Sequence, residues 1–249
     1  MKKTLLSLSA LAMLATTACG SGQSDKSTSN TEEKVKVENS SDKKSEGDWT
    51  VLFDGSNTDS WKTYNKATIG EAWKTKDGVL YLDSSVKEGR GDLVTKDEYS
   101  NFHLKLDWKI SDNGNSGIMF MVHEDEQFRH PYVTGPEYQL LDDEGHPDGK
   151  NLKHRTADLY DMIQATEEAS NPVGEWNSTE IIVNDGKLTF KLNGITTVET
   201  TMWDESWKAL IAGSKFKNAE HFGIYKKGKI ALQDHGNDVF FKNIMIKEL

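Results

Sequence analysis

Period-two alternation is the dominant signal along this chain. Phe102, Leu104, Leu106, Trp108 and Ile110 are apolar, while His103, Lys105, Asp107 and Lys109 between them are polar or charged. Successive strand side chains point to opposite faces, so this pattern predicts a strand with one face in a core and the other in solvent. Shorter runs rich in β-branched and aromatic residues predict strands at 50–53, 73–76, 79–82, 93–95, 157–163, 222–225, 229–233 and 239–247. Residues 179–184, 187–193 and 195–200 form a three-stranded meander around Asp185-Gly186 and Asn193-Gly194. Such pairs supply the positive φ values that two-residue hairpin turns need. Trp203, Trp207, Leu210 and Ile211 recur at helical spacing and predict one short surface helix within 202–214. About a dozen short strands with turn punctuation and one short helix define an all-β fold, a sandwich of two antiparallel sheets.

Two segments depart from simple alternation. Residues 116–123 are apolar on both faces, with Ile118, Phe120 and Val122 against Met119 and Met121, and 138–141 are similar. A strand buried on both faces lies between the core and a second covered surface, either a ligand cleft or a loop. The polar segment 124–134, which contains Pro131, is long for a hairpin connection, a length associated with function. In GPEYQLLDDEGH, residues 135–146, alternation sets Glu137 and Gln139 opposite Tyr138 and Leu140. With the second pair inward, the first faces a concave sheet surface suited to a sugar-sized ligand. Ile230 and Leu232 point inward by the same rule, so Gln233 and His235 join Glu137 and Gln139, and His123 extends the side of Met119 and Met121. Histidine is the side chain best matched to proton transfer near neutral pH. Asp142, Asp143 and His146, followed by Asp148, offer oxygen and imidazole groups to a divalent cation or simply form a polar turn. Their spacing matches neither an EF-hand nor a zincin.

The first part of the chain is of another kind. Lys2 and Lys3 precede an apolar, small-residue stretch of signal-peptide length that runs into Ala18 and Cys19, the single cysteine. This resembles a bacterial lipobox, so residues 1–18 are expected to be a lipoprotein signal peptide and Cys19 the lipidated residue. That implies an extracytoplasmic protein, anchored to the bacterial membrane in the periplasm or at the cell surface. Residues 19–48 carry almost no apolar content and are expected to be a disordered tether. Residues 49–249, which hold all seven tryptophans, are the expected folded domain. A net charge of −10 argues against a nucleic-acid partner. No nucleophile elbow, P-loop or dinucleotide fingerprint occurs.

Six stretches, in order along residues 49–249, carry a family resemblance: LFDGSNTDSWK, GDLVTKDEYSNFHLKLDWKISDNGNSGIMF, GPEYQLLDDEGH, ADLYDM, GEWNSTEIIVNDGKLTFKLNG and IALQDHGNDVFFKNIMIKEL. The chain resembles the 3-keto-disaccharide hydrolase and 3-keto-glucoside-1,2-lyase family, formerly DUF1080. It departs from the usual opening motif at Thr58 and Ser60. The resemblance implies a concanavalin-like jelly roll acting on glycosides already oxidised at C3. A C3 carbonyl acidifies the C2 proton, so a base can remove it, the aglycone leaves C1, and water adds back. Such a site needs a base and a group that stabilises the enolate oxygen. It does not need two carboxylates at a set separation. Glu137, His123, His146 and His235 remain open as the base. Gln139, Gln233, Asn115 or a bound cation remain open as the polarising group, with Tyr160 of ADLYDM among the substrate-binding residues. Oxidation at C3 falls to a separate dehydrogenase. The competing readings are a non-catalytic carbohydrate-binding module and a structural surface protein, since fold alone does not define function.

Overall fold

The computed structural model describes residues 48–249; the expected signal peptide, Cys19 and tether lie outside the described residues. Two antiparallel sheets form from β1 (Trp49–Phe53), β2 (Trp61–Thr63), β3 (Trp73–Lys76), β4 (Val79–Leu82), β5 (Leu93–Thr95), β6 (Phe102–Ile110), β7 (Asn115–Val122), β8 (Glu137–Leu141), β9 (Asn177–Asn184), β10 (Lys187–Leu192), β11 (Ile195–Thr201), β12 (Lys229–Leu232) and β13 (Val239–Glu248). The larger sheet runs β11-β10-β9-β6-β13-β4-β3, with β1 also on β13, and the smaller runs β2-β5-β12-β7-β8. The expected all-β sandwich is thus the observed one. In β6 every apolar residue of the alternating set is buried and every intervening residue is partly exposed. Between the sheets, Phe120 of β7 and Tyr138 of β8 meet Phe190 of β10, with ring centroids 5.8 and 4.9 Å apart. Trp108 closes one polar gap by donating its indole N–H to Thr179 Oγ1 at 2.8 Å.

β7 and β8 are buried along their whole length. Their outer face carries its own covered surface, in part a small cluster of Tyr64, Val94, Met119, Val122 and Ala231. β7 does not keep strict alternation. Met121 adopts φ +52°, and the pairing with β12 shifts register there, so two residues of β7 oppose one of β12. This bulge reverses the faces beyond it: Met121 joins the main core and Val122 the outer cluster.

Three expected elements come out differently. Residues 157–163 are turns, because Ala157 and Asp161 take positive φ and Met162 and Ile163 both donate back to Leu159 O; one isolated bridge from Leu159 to Tyr138 and backbone hydrogen bonds to Glu137 and Gln139 tie them to β8. Residues 222–225 are a turn at Gly223 (φ +67°), with Phe222 stacked on Phe216 at 3.7 Å. The helix, α1 (Glu205–Ala212), is shorter than the periodic stretch. Asp204 caps it by accepting from Trp207 N at 2.8 Å, and Trp207 anchors its buried side.

The loop between β7 and β8 is closed at both ends. Glu124 accepts from Lys62 Nζ and Asn65 N, each at 2.7 Å, with Lys229 Nζ 3.7 Å away. Thr134 Oγ1 accepts from His123 N at 3.0 Å, and Gly135 N donates to Pro131 O at 2.9 Å. Lys229 itself is buried and donates to the carbonyls of Thr95 (3.0 Å) and Lys96 (2.6 Å). Phe190→Ala is expected to cost about 3–5 kcal/mol, as for a large aromatic removed from a packed core. Denaturant unfolding followed by tryptophan fluorescence measures it, and a change below about 1 kcal/mol would contradict the inter-sheet packing described here.

Candidate active site

The register of β7 against β8 builds the site. Met119 pairs with Glu137 and Gly117 with Gln139 on the outer face, while Ile118 and Tyr138 pair on the core face. A Cβ on Gly117 would lie 1.8 Å from Glu137 Oε1. The carboxyl group of Glu137 therefore rests on bare backbone, a position that any residue other than glycine would block.

Around it lies a cavity of ≈ 300 Å³. The strands and the segment after β12 contribute Asn115, Glu137, Gln139, Gln233 and His235. Loops contribute Tyr132, Tyr160, Lys215 and Phe216. Of the residues expected at the site, Glu137, Gln139, Gln233, His235, Asn115 and Tyr160 are thus brought together. His146 is half-buried beside the mouth, its ring edge-on to His235 at 6.1 Å, but it does not line the cavity. His123 is elsewhere. The bulge at Met121 breaks the alternation that would have carried it to the Glu137 face, and its ring stacks on Tyr225 at 4.3 Å.

Burial pushes the Glu137 carboxyl up to about 8; the nearby Lys215 opposes this, and the charges of Asp92 and Asp148 add to it. At neutral pH this group holds its proton. Desolvation, followed by repulsion from His146, lowers His235 below the usual imidazole range. The amides are only partly satisfied. Gln139 Nε2 donates to Asn115 Oδ1 at 3.2 Å, but Gln233 Oε1 is buried without a partner. Gln233 is held by its backbone, with Ser116 Oγ donating to its carbonyl at 2.9 Å and its N–H donating to Gly117 O at 2.9 Å.

A buried histidine braces the loop wall. Asp148 Oδ1 lies 2.7 Å from His154 Nδ1, and Asp161 Oδ1 lies 2.7 Å from Nε2. Tyr160 donates its hydroxyl to the other oxygen of Asp148 at 3.1 Å, and Asp161 accepts from Lys215 N at 2.5 Å. Lys215 Nζ stands 4.0 Å from the Tyr160 ring centroid. Sequence reading missed Lys215, Phe216 and His154, which lie in irregular segments where periodicity is silent. Tyr132 had one signal, its place beside Pro131 in the long loop.

The suggested cation ligands do not form a set. Asp142 accepts from Asn113 N and Gly145 N, each at 2.8 Å, Asp143 from Thr156 N at 2.8 Å, and His146 Nδ1 from Asp148 N at 3.2 Å. Asp142 and Asp143 line a different cavity, and among the described residues no group of three or more ligating side chains gathers. These residues are turn and loop anchors and do not fit a metal centre.

A jelly-roll scaffold here carries a desolvated acid among amides and aromatic rings, and its likeness to known proteins sets it among carbohydrate-acting enzymes. Residues 48–247 match the 3-keto-alpha-glucoside-1,2-lyase-like domain, and the chain belongs to that family. A 3-keto-disaccharide hydrolase of Bacteroides thetaiotaomicron is 33% identical over 227 residues, spanning 81% of this chain and 78% of that protein. A Parabacteroides distasonis crystal structure solved under a glycosyl-hydrolase designation is 35% identical with a TM-score of 0.75, covering 81% of this chain and 94% of that one. A Bacillus subtilis protein with a galectin-like fold is 13% identical with a TM-score of 0.51, covering 82% and 96% of the two chains; it shares the fold alone.

The folded chain keeps a proton on Glu137 that the unfolded chain releases above its ordinary value of 4.5. Stability contributed by this site therefore falls as pH rises from 4.5 to about 8. Glu137→Gln is expected to remove that slope, so its stability relative to the parent should grow across the window. Denaturant unfolding at several pH values checks this; parallel curves for the two proteins would contradict the burial of an ionisable group there.

Proposed function

We propose that this protein cleaves glycosides oxidised at C3, with Glu137 taking the C2 proton. The observation that carries the reading is that Glu137 is the sole carboxylate among the cavity-lining residues. Cleavage of an unactivated acetal uses two carboxylates flanking one bond. Removal of a proton beside a ketone needs one strong base, and a carboxyl whose affinity for protons is raised by desolvation is such a base once ionised. Glu137 accepts the C2 proton, the C1–O bond breaks, and the electron pair forms a C1–C2 double bond conjugated to the C3 ketone. The departing oxygen takes a proton, and the Glu137 carboxyl, which has just accepted one, is placed to supply it, while neutral His235 at the cavity wall offers a hydrogen bond. Water then adds its hydroxyl to C1 and a proton returns to C2, so the sum is hydrolysis. Release of the unsaturated sugar before water adds would make the same site a lyase.

Lys215 and Tyr160 face the cavity and supply positive charge and a polar ring edge to the developing enolate. The unpartnered side-chain oxygen of Gln233, Oε1, accepts from a sugar hydroxyl. A pure binding module would show rim aromatics without clustered ionisable groups. Tyr132 supplies the first, being 43% exposed, but Glu137, Lys215 and His235 in one cavity favour chemistry. Lipid anchoring at Cys19 on the outside of a bacterial membrane, and a separate dehydrogenase that makes the C3 ketone, belong to the same proposal.

Incubation with 3-keto-glucosides in deuterated water tests it, reading aglycone release and deuterium at C2. The parent is expected to do both, with kcat/KM rising with pH toward a plateau above about 8, because the base must be ionised. Glu137→Gln should lose about 10²–10⁴-fold in rate, the usual contribution of a positioned base. Neither release nor exchange from any of several 3-keto-glucosides would sink the proposal. Gly117→Ala, which displaces the carboxyl toward water, is expected to shift the pH profile to lower pH; an unshifted profile would contradict the role of the bare backbone.

A further inference from the structure

The outward face of the larger sheet has a charge of its own. Strand register puts Lys105 and Lys109 of β6, Lys187 and Lys191 of β10, and Lys242 and Lys247 of β13 on that one face. The carboxylates at outward positions of β6, β9, β10, β11 and β13 are Asp107, Glu180 and Glu199. Lysines thus outnumber carboxylates two to one here, on a chain whose net charge is −10. Two of the acids are already engaged. Glu180 lies 2.5 Å from His103 Nε2 and 3.7 Å from Lys105 Nζ, and Asp107 accepts from Asn243 Nδ2 at 2.7 Å. Among the described residues, Lys191, Lys242 and Lys247 form no ion pair.

Aromatic rings stand among these lysines. Lys242 Nζ is 4.0 Å from the Trp176 ring centroid, Lys109 Nζ reaches both Trp176 and Phe240 at 5.3 and 4.9 Å, and Phe240 stacks on Tyr81 at 5.8 Å. At the opposite end of β13 Trp49 pairs with Lys247, and its ring, 5.1 Å from Lys105 Nζ, is 39% exposed. Rings clasped by ammonium groups or by one another do not lie open as a stacking platform for a sugar. Apolar bodies with cationic tips are what settles at the headgroup level of a bilayer. The placement of the face agrees with that partner. The outer faces of a two-sheet sandwich point in opposite directions, and Glu137 opens from the outer face of the smaller sheet, so a surface against the lysines leaves the cavity clear. The segment that follows Cys19 also enters the domain through Trp49, on the lysine face.

We propose that the outward face of the larger sheet docks on an anionic lipid surface, with its unpaired lysines meeting the headgroups and Trp49 the layer beneath. The proposal extends the lipid anchoring given above. The anchor holds the chain at the bilayer, and the face orients the domain so that the Glu137 cavity looks away from it.

Both sheets and the core between them lie within residues 48–249, and Lys43–Leu249 forms one compact unit. Residues 43–249, which lack Cys19, therefore test the face apart from the anchor. At low salt this domain is expected to sediment with vesicles of phosphatidylcholine and phosphatidylglycerol, to stay free of pure phosphatidylcholine vesicles, and to be released by high salt. Changing Lys191, Lys242 and Lys247 together to Gln should weaken partitioning about 100-fold. The same change at Lys150, Lys153 and Lys217, exposed in loops, should leave it unaltered. Equal partitioning of the parent and the sheet-face variant, or no preference for the anionic vesicles, overturns the proposal. Retention on polygalacturonate without partitioning to vesicles also overturns it, because the face then serves an acidic polysaccharide. Mass spectrometry of the full chain from a bacterial host reads the anchor separately. A domain that partitions in this way, from a chain that carries no lipid on Cys19, overturns the anchoring alone.

Discussion

A carboxylic acid pressed against bare backbone is the constraint on which the site depends. Glu137 lies over Gly117 because the two strands that carry them pair in one register, and that register is set by Ile118 and Tyr138 on the opposite face. A slip by one residue would send Glu137 into the inter-sheet core and Tyr138 into the cavity. The packing of Tyr138 and Phe120 on Phe190 therefore does more than stabilise the sandwich. It determines which face of β8 meets the ligand, and through that the environment that raises the proton affinity of the acid.

The surroundings of that acid are graded by distance. Amides and a tyrosine ring line the cavity, and Lys215 is the cation that faces it. Asp92 and Asp148 stand farther off, near enough for their charges to raise the affinity of Glu137 for its proton. Asp92 is itself desolvated, and burial pushes it up to about 6. Acidic groups are thus not scarce around the cleft, but a single one lines this cavity. What sets this sheet face apart is one dry carboxyl among amides.

The sequence made the sheet faces legible wherever alternation was uninterrupted. Glu137 and Gln139 on β8, and Gln233 with His235 just beyond β12, followed from counting by twos, and these residues do share a cavity. His123 did not, because counting by twos fails across a bulge, and nothing in a run of Met, Phe, Met and Val announces that Met121 takes a positive φ. Residues 157–163 misled for the reverse reason: their composition suits a strand, but Ala157 and Asp161 turn the chain. That same irregular segment presents Tyr160 and, through Asp161, which His154 braces, holds the backbone of Lys215. Contacts of this kind join loops distant in sequence and leave no periodic trace.

The loop from Glu124 to Thr134 has a further consequence. Its first residue is moored to Lys62 and the backbone of Asn65, and its last is tied to the backbone of His123, so it is anchored independently of the strand pairing on either side. It carries Tyr132, which faces the Glu137 cavity, and His130, which faces a shallower cavity sharing His235 with the first, yet none of the residues that hold Glu137 over Gly117. Such an arrangement is modular. Changes of residue or length within the loop can reshape the lining of both cavities while the strand pairing that seats Glu137 over Gly117 stays as it is.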